Sequence, residues 1–419
     1  MKVAFAYMNT ERNIGRGAGY VAGAVLEAGH DLTFFDTRYS SIKSIVKMII
    51  KGNFDVLMIS SMTLLLPMAI SLAEQIKKER KIPVLLGGIH SIIAGPRLLK
   101  KYPKIDYLCI GEGESMVKDF LDNLGKDSLH EVKNLAFRVG KSIGHNTLLP
   151  PEDLSLSPVF PWHLFNRKSV VLSNGLLYVN ATRGCPFNCS YCCNGVYLEK
   201  YGNEYIRTRP IEQVVTELNF LKNEYNPRLF YFGDEMILYN KRYVLDLFAT
   251  IKEKIDLPYG FMARAEYVNS TLVKELKKTG CRYVAMGIEC GDESFRREHL
   301  NRKDSNEKIE ESFRLCKEAG IFTSSFNMIG YPFENDEELT KATIKLNQKI
   351  EPDWSQVTIF YPFMGTRLCK YCVENDLFDK NRTNTTRYYK ESVLKGHNLS
   401  ADRIRIQKLL NGNKGFQPI

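Results

Sequence analysis

Cys185, Cys189 and Cys192 stand in a C-x-x-x-C-x-x-C array. Soft thiolates at this spacing select iron–sulfur clusters or zinc. A [4Fe–4S] cluster normally takes four thiolates, so three would leave one iron open to a substrate. Gly184 and Pro186 suit a loop that bends around such a cluster. The same residues also admit a zinc knot or a set of buried thiols. Cys193 is an additional neighbour. The array follows an apolar, strand-like run, Leu176 to Ala181, and precedes a stretch, 194–209, that reads as irregular. It therefore sits on a loop after a strand, where barrel enzymes carry their chemistry.

The elements that must position this loop alternate between strand and helix from 176 to 372. Strands are expected at Leu176–Ala181, Leu229–Phe232, Tyr259–Arg264, Tyr283–Ile288, Thr323–Ile329 and Gln356–Tyr361. Helices are expected between them, as at Pro210–Tyr225, Leu272–Thr279 and Asn306–Ala319. The repeats predict an α/β fold, a partial (β/α) barrel whose strand ends form the site. Those ends carry Gly233-Asp234-Glu235, then Arg264, then Glu289, then Gly330, and finally 361–366. Cys281, Cys290 and Cys316 read as core thiols. Cys369 and Cys372 could be a redox pair, an accessory ligand set or a plain helical pair.

Residues 1–125 alternate in the same way, which predicts a doubly wound parallel sheet. A helix is expected from Ser61 to Arg80 with Pro67 inside it. Ligands of such sheets sit beyond the carboxyl ends of the strands. There the sequence places Gly15–Gly19, Ser60-Ser61, Gly87-Gly88 and Gly111. One reading is a dinucleotide site, with the first glycine turn on phosphate and Asp36 on a ribose; its G-x-G-x-G spacing departs from the usual fingerprint. Residues 126–175 read as a linker that holds a small hairpin near Asn134–Val139 and then a Pro- and Ser-rich strap between the domains. Trp162 reads as packing. Residues 373–419 form a C-terminal extension with Arg387-Tyr388-Tyr389-Lys390 and a helix from Ser400 to Leu410, capped by Ser400, that could cover the barrel.

The cysteine array and the strand-end motifs resemble radical SAM enzymes, in the subgroup whose barrel follows a cobalamin-binding domain. The resemblance implies that Cys185, Cys189 and Cys192 hold a [4Fe–4S] cluster. It implies that S-adenosylmethionine chelates the open iron and yields a 5′-deoxyadenosyl radical. Gly233, Asp234 and Glu235 are similar to the turn that receives its ammonium, and an acidic turn can hydrogen-bond such a group. Arg264 would pair with its carboxylate or serve a structural ion pair. Glu289 would meet the ribose hydroxyls, and Gly330 would let backbone approach the adenine. Tyr191 would stack near the adenine or only pack. In the first domain Ser60, Ser61, Gly87, Gly88, Gly111 and Glu112 resemble a cobalamin site. Residues 9–19 contain no histidine for a lower axial ligand. His90 is the candidate substitute, or else a polar residue at a helix start.

The chain has 419 residues, ten cysteines and a formal charge of +10. No apolar run reaches the ~18 residues of a membrane span. Few, uneven cysteines argue against a disulfide scaffold and for a reducing cytoplasm. The basic residues are scattered in runs such as 296–298, which read as solvated helix faces. No nucleic-acid module is visible. The expected function is a radical SAM enzyme, with cobalamin, that methylates an unactivated carbon of a small molecule. Alternatives are a radical cyclase or rearrangement enzyme, or a non-catalytic cluster or corrinoid carrier. An external electron donor such as flavodoxin or ferredoxin is the implied partner. No residue is singled out as the catalytic group.

Overall fold

The computed structural model describes residues 1–11, 14–382, 390–396, 399–412 and 414–418. Two compact units result, Met1–Val170 and Val171–Ile419.

In the first unit the strands are β1 (Lys2–Tyr7), β2 (Asp31–Asp36), β3 (Val56–Ser60), β4 (Val84–Gly87), β5 (Tyr107–Cys109), β6 (Leu135–Val139) and β7 (Ser142–His145). They form one sheet in the order β2-β1-β3-β4-β5-β6-β7. The first five are parallel; β6 and β7 add antiparallel. The inner strands are unbroken apolar runs such as Val3–Ala6 and Val56–Ile59, buried throughout, as parallel strands covered on both faces require. Helices Arg16–Glu27 and Glu114–Asn123 pack together, and so do Ile42–Lys51 and Leu66–Glu79. Right-handed crossovers put the two pairs on opposite faces. Strand order reverses between β1 and β3, which is where ligands of such sheets bind.

Two expectations shift here. The helix sought from Ser61 begins at Leu66, with Pro67 in its first turn, where a missing N–H leaves no bond broken. The stretch from 126 to 170 belongs to the first unit: it supplies β6 and β7, and its later part lies on the first helix. Glycine permits that approach, since a Cβ on Gly19 would stand 2.2 Å from the Phe160 ring. The Arg16 guanidinium lies 4.9 Å from the centre of the buried Trp162 ring.

The second unit holds β8 (Leu176–Val179), β9 (Thr182–Arg183), β10 (Arg207–Thr208), β11 (Leu229–Phe232), β12 (Tyr259–Ala263), β13 (Cys281–Glu289), β14 (Phe322–Ile329) and β15 (Trp354–Ile359). Its main sheet runs β15-β14-β13-β12-β11-β8, all parallel. This is an open half-barrel. Leu176, Leu229, Tyr231, Tyr283 and Ala285 cluster, with Phe416 packed against them. Asn269 and Ser305 cap the helices Ser270–Lys278 and Asn306–Glu318 through their side chains. The stretch expected to be irregular after the cysteines contains a helix, Asn194–Tyr201.

Helix Ser400–Asn411 packs along β15. Asn411 Oδ1 accepts the Ser355 N–H at 2.7 Å, and Gln407 Oε1 accepts the Val357 N–H at 2.7 Å. The tail helix therefore occupies the free edge of β15, a place distinct from the expected cover of the barrel. Ser400 is not its cap: Leu399 holds that position, and Ser400 Oγ donates to the Lys390 carbonyl at 2.7 Å. Arg387, Tyr388 and Tyr389 lie outside the described residues. Cys281, Cys290, Cys316 and Cys372 are buried thiols. Cys369 and Cys372 share one helix, Arg367–Glu374. Among the described residues no helix is long and apolar enough to cross a membrane.

Candidate active site

The loop that carries the three cysteines begins at the end of β9. Gly184 adopts φ 99°, and a Cβ there would stand 2.3 Å from the Tyr205 carbonyl oxygen. Only glycine lets the chain turn at that point. Further along, the loop backbone is tied down. Ser190 N–H donates to Leu300 O at 3.1 Å, and Leu368 N–H donates to Ser190 O at 3.0 Å. Asn301 Nδ2 and Arg367 Nη2 both donate to Asn188 O, at 2.8 and 2.6 Å. Cys189 is buried, and Cys185 and Cys192 are half-buried, all as free thiols. Burial pushes the Cys185 thiol up to about 12, and the charges of Cys192 and Cys189 push the same way, so the three groups sense one another. Burial also raises Cys189, while the nearby Arg302 and Arg264 guanidiniums oppose it. Cys192 is hydrogen-bonded to Cys193.

Asp234, expected to meet an ammonium, turns away from the site. It is fully buried. Its Oδ1 accepts from Ala181 N at 2.9 Å, from Thr182 Oγ1 at 2.6 Å and from Thr182 N. Three protein donors already satisfy that oxygen, so its work is to fix the approach to the cysteine loop. Burial pushes its carboxyl up to about 7, against the pull of those donors. The neighbouring Glu235 is exposed. It accepts one long bond, from Gly184 N–H at 3.3 Å, and surrounding protein raises its carboxyl. Glu235 is therefore the acid of this turn that faces outward. Gly233 N–H is used by Val179 O at 2.9 Å.

Arg264 is also engaged by protein. Nε lies 3.0 Å from Glu266 Oε1, Nη2 lies 3.2 Å from Asp304 Oδ1, and Nη1 lies 3.7 Å from Cys189 Sγ. The structural ion pair is thus present. Its hub, Asp304, was not singled out from the sequence, nor was Arg302. Arg302 binds Asp304 through Nε at 3.2 Å and donates to Gly287 O at 2.6 Å. Its Nη1 stays 3.4 Å from Tyr191 Oη and 3.5 Å from Glu289 Oε1. Burial alone would raise Asp304, but Arg302 and Arg264 outweigh it and hold its carboxyl low. Arg296, read as part of a solvated run, is wholly buried. It donates to Cys290 O at 2.6 Å, Asp304 O at 2.9 Å and Asn306 Oδ1 at 2.7 Å. A charge run on a short helix does not disclose which residue faces inward.

Glu289 ends β13 at φ 67°, a left-handed conformation for a non-glycine residue. Such backbone costs about 1–3 kcal/mol and persists where surroundings enforce it. Its carboxylate is half-buried between Tyr191 and Arg302, and burial raises it. Gly330 N–H is taken by Asp336 Oδ1 at 2.9 Å. Its backbone N–H is therefore held within the protein.

In the first unit the predicted residues meet at the ends of β3, β4 and β5, but most of their side chains are occupied. His90 is 3% exposed, and its Nδ1 lies 3.1 Å from Thr63 Oγ1. Burial lowers the imidazole to about 4. It is a buried histidine at the start of a short helix, Ile89–Ala94. Ser61 is buried, with Oγ donating to Met62 O at 3.0 Å. Glu112 Oε2 accepts the Glu152 N–H at 2.8 Å. Gly111 is buried against Asn134. Gly88 adopts φ 92° and a Cβ there would stand 2.4 Å from Ser61 O. Ser60 and Gly87 pair in register and are both half-buried. The dinucleotide reading fares worse. Asp36 is buried and accepts from Asn9 Nδ2 at 3.3 Å and Arg38 N at 2.8 Å, and Gly15 makes room for the Tyr7 ring.

Residues 179–343 match the family model of the radical SAM superfamily, and residues 13–121 match that of the B12 binding domain. The chain thus carries a radical SAM domain and a B12 binding domain. It is 28% identical, over 86% of its length and 79% of the relative's, to an uncharacterized methyltransferase of Pyrococcus horikoshii. It is 26% identical to the anaerobic magnesium-protoporphyrin IX monomethyl ester cyclase of Cereibacter sphaeroides, over 92% of this chain and 66% of that one. The fold is similar to that of the radical S-adenosylmethionine methyltransferase TsrM from Kitasatospora setae, with a TM-score of 0.72, 15% identity, and coverage of 90% of this chain and 78% of that one.

The cofactors that go with these two domains are a [4Fe–4S] cluster, S-adenosylmethionine and cobalamin. The cysteine loop suits the first: three mutually sensing thiols sit on one tethered loop, with two guanidiniums beside them. Among the described residues no three His, Cys, Asp or Glu side chains converge on one point, as they would around a single ion. The open strand ends at Ser60 and Gly87 suit the last, as a ledge of backbone and small side chains.

Proposed function

We propose that the protein is a cobalamin-dependent radical SAM methyltransferase that acts on an unactivated carbon centre of a small molecule, such as a natural-product or lipid precursor. The observation that carries the reading is the tethered three-cysteine loop, ringed by Glu235, Tyr191 and Glu289, in a chain that also has a B12 binding domain. When bound, the cofactors supply a hydrogen-abstracting radical and a transferable methyl group. The chain's own part is placement. Cys185, Cys189 and Cys192 hold the cluster. Glu235 receives the S-adenosylmethionine ammonium, a role first sought for the whole acidic turn. Glu289, with Tyr191 beside it, receives the ribose hydroxyls. Ser60, Gly87 and Gly88 admit the cobalamin nucleotide tail close to backbone. An external one-electron donor, of the flavodoxin or ferredoxin class, reduces the cluster.

A second reading, a radical cyclase or rearrangement enzyme, is supported by the cyclase relative that spans 92% of the chain. Anaerobic reconstitution with iron, sulfide and hydroxocobalamin separates the two. About four irons per chain, as one [4Fe–4S] cluster needs, with stoichiometric cobalt and reductive S-adenosylmethionine cleavage, support the methyltransferase. Iron without cobalt favours cobalamin-free radical chemistry. A cluster that leaves S-adenosylmethionine intact under reduction rejects both in favour of a carrier.

A further inference from the structure

The cysteine loop is keyed onto one buried side chain. Arg264 stands at the end of β12 and is 8% exposed. Phe187, which lies between Cys185 and Cys189, stacks on it with its ring centre 3.8 Å from the guanidinium carbon. Nη1 of that guanidinium reaches Cys189 Sγ at 3.7 Å, within hydrogen-bond range for sulfur. On its far side Nε and Nη2 are gripped by Glu266 and Asp304. Asp304 is itself held by Arg302 and Arg296. The fork is thus fixed between carboxylates behind and a sulfur in front, and a lysine would not reproduce that geometry.

We infer that Arg264 tunes the cluster, raising its reduction potential through an N–H···S bond to Cys189, and that Asp304 is the residue that positions it. The inference rests on the cluster reading given under the proposed function. Hydrogen bonds to the sulfurs and net charge set the potentials of such clusters. Reduction adds one electron to a centre already bound by three thiolates; no bond forms or breaks in the protein. The electron comes from the external one-electron donor. A cation fixed against one of the thiolates stabilises the more negative, reduced form more than the oxidised one. Burial leaves little water to screen the interaction, while Glu266 and Asp304 offset part of the charge. This differs from a clamp on the S-adenosylmethionine carboxylate. Nη1 and Nη2 are hydrogen-bonded within the protein, and Nε is ion-paired with Glu266.

The test is a redox titration of the full chain, reconstituted anaerobically and followed by electron paramagnetic resonance without S-adenosylmethionine. In Arg264→Gln the ratio of reduced to oxidised cluster at a fixed donor potential should fall about tenfold, equivalent to about 59 mV for one electron. Arg264→Lys, which keeps the charge and loses the fork, should recover part of that shift. Asp304→Asn loses the anchor of Arg264 but also a buried negative charge that itself disfavours reduction, so its shift should differ between the parent and the Arg264→Gln background, and equal shifts overturn the positioning role. S-adenosylmethionine affinity should stay parental in Arg264→Gln. A parental potential in Arg264→Gln overturns the inference. So does a loss of S-adenosylmethionine affinity at unchanged potential, which would make Arg264 a carboxylate clamp. If Arg264→Gln fails to keep its iron, Arg264→Lys decides: a parental potential there overturns the inference. A parent chain that takes up no iron overturns the cluster reading and the inference with it. A parent with about four irons and unmoved potentials in the variants overturns the inference alone.

Discussion

At the ends of β11, β12 and β13, Glu235, Arg264 and Glu289 stand near the three cysteines, and Asp304 ties Arg264 to Arg302. At the ends of β3, β4 and β5, the chain offers Ser60, Gly87 and Gly88, while Ser61, His90 and Glu112 are spent on protein partners. Both ends belong to parallel sheets, yet they treat polar groups in opposite ways. A centre that gathers and moves charge needs charged side chains held at fixed positions. A large, mostly neutral cofactor needs room and backbone, and buried polar groups nearby must be satisfied before it arrives.

This contrast can be broken at several points. Cys189→Ala should reduce S-adenosylmethionine cleavage to background while cobalt uptake persists, as read by metal counts after reconstitution. Loss of both metals would mean that the two ends are not independent. Glu289→Ala should weaken S-adenosylmethionine binding roughly 10- to 100-fold, the worth of a hydrogen bond to a charged group, with the cluster spectrum intact. An unchanged dissociation constant would remove Glu289 from the site. His90→Ala should leave cobalt stoichiometry unchanged but lower stability by about 1–3 kcal/mol, since Thr63 loses its buried partner. A cobalt-free variant would restore His90 as a ligand.

The contrast also has a pH dependence, and its sign differs between the units. His90 falls from 6.5 to about 4 on folding. Below the first value the unfolded chain binds the extra proton, so the first unit loses stability as pH drops through that window. Asp234 rises from 3.8 to about 7. In that window the native chain holds the extra proton, so the second unit loses stability as pH climbs. Asp234→Asn should therefore gain on the parent in melting temperature as pH rises across the Asp234 window, then run level above it. A constant difference across that range would place the Asp234 carboxyl in water.

What the sequence disclosed followed contiguity. The cysteines lie within eight residues of one another, and strands alternate with helices after them, so spacing located the loop and alternation located the half-barrel. Direction was harder. Asp234 and Glu235 are adjacent and chemically alike, and only the fold turns one inward and the other out. Arg302 and Asp304 sit in a connection between two helices, with no periodicity or motif to mark them. Their meaning comes from contacts with Glu289, Tyr191 and Arg264, which are distant in the chain. His90 stood as either a ligand or a polar residue at a helix start, and its burial against Thr63 is a tertiary fact.

The amides of Gln407 and Asn411 have a consequence of another kind. They answer hydrogen-bonding groups of β15 that a neighbouring strand would otherwise answer. A peeled-back tail would leave a row of unanswered donors and acceptors, a template onto which another chain could add. The last helix is thus a stopper against self-templated growth, and its grip sets how readily the protein stays apart from its own copies.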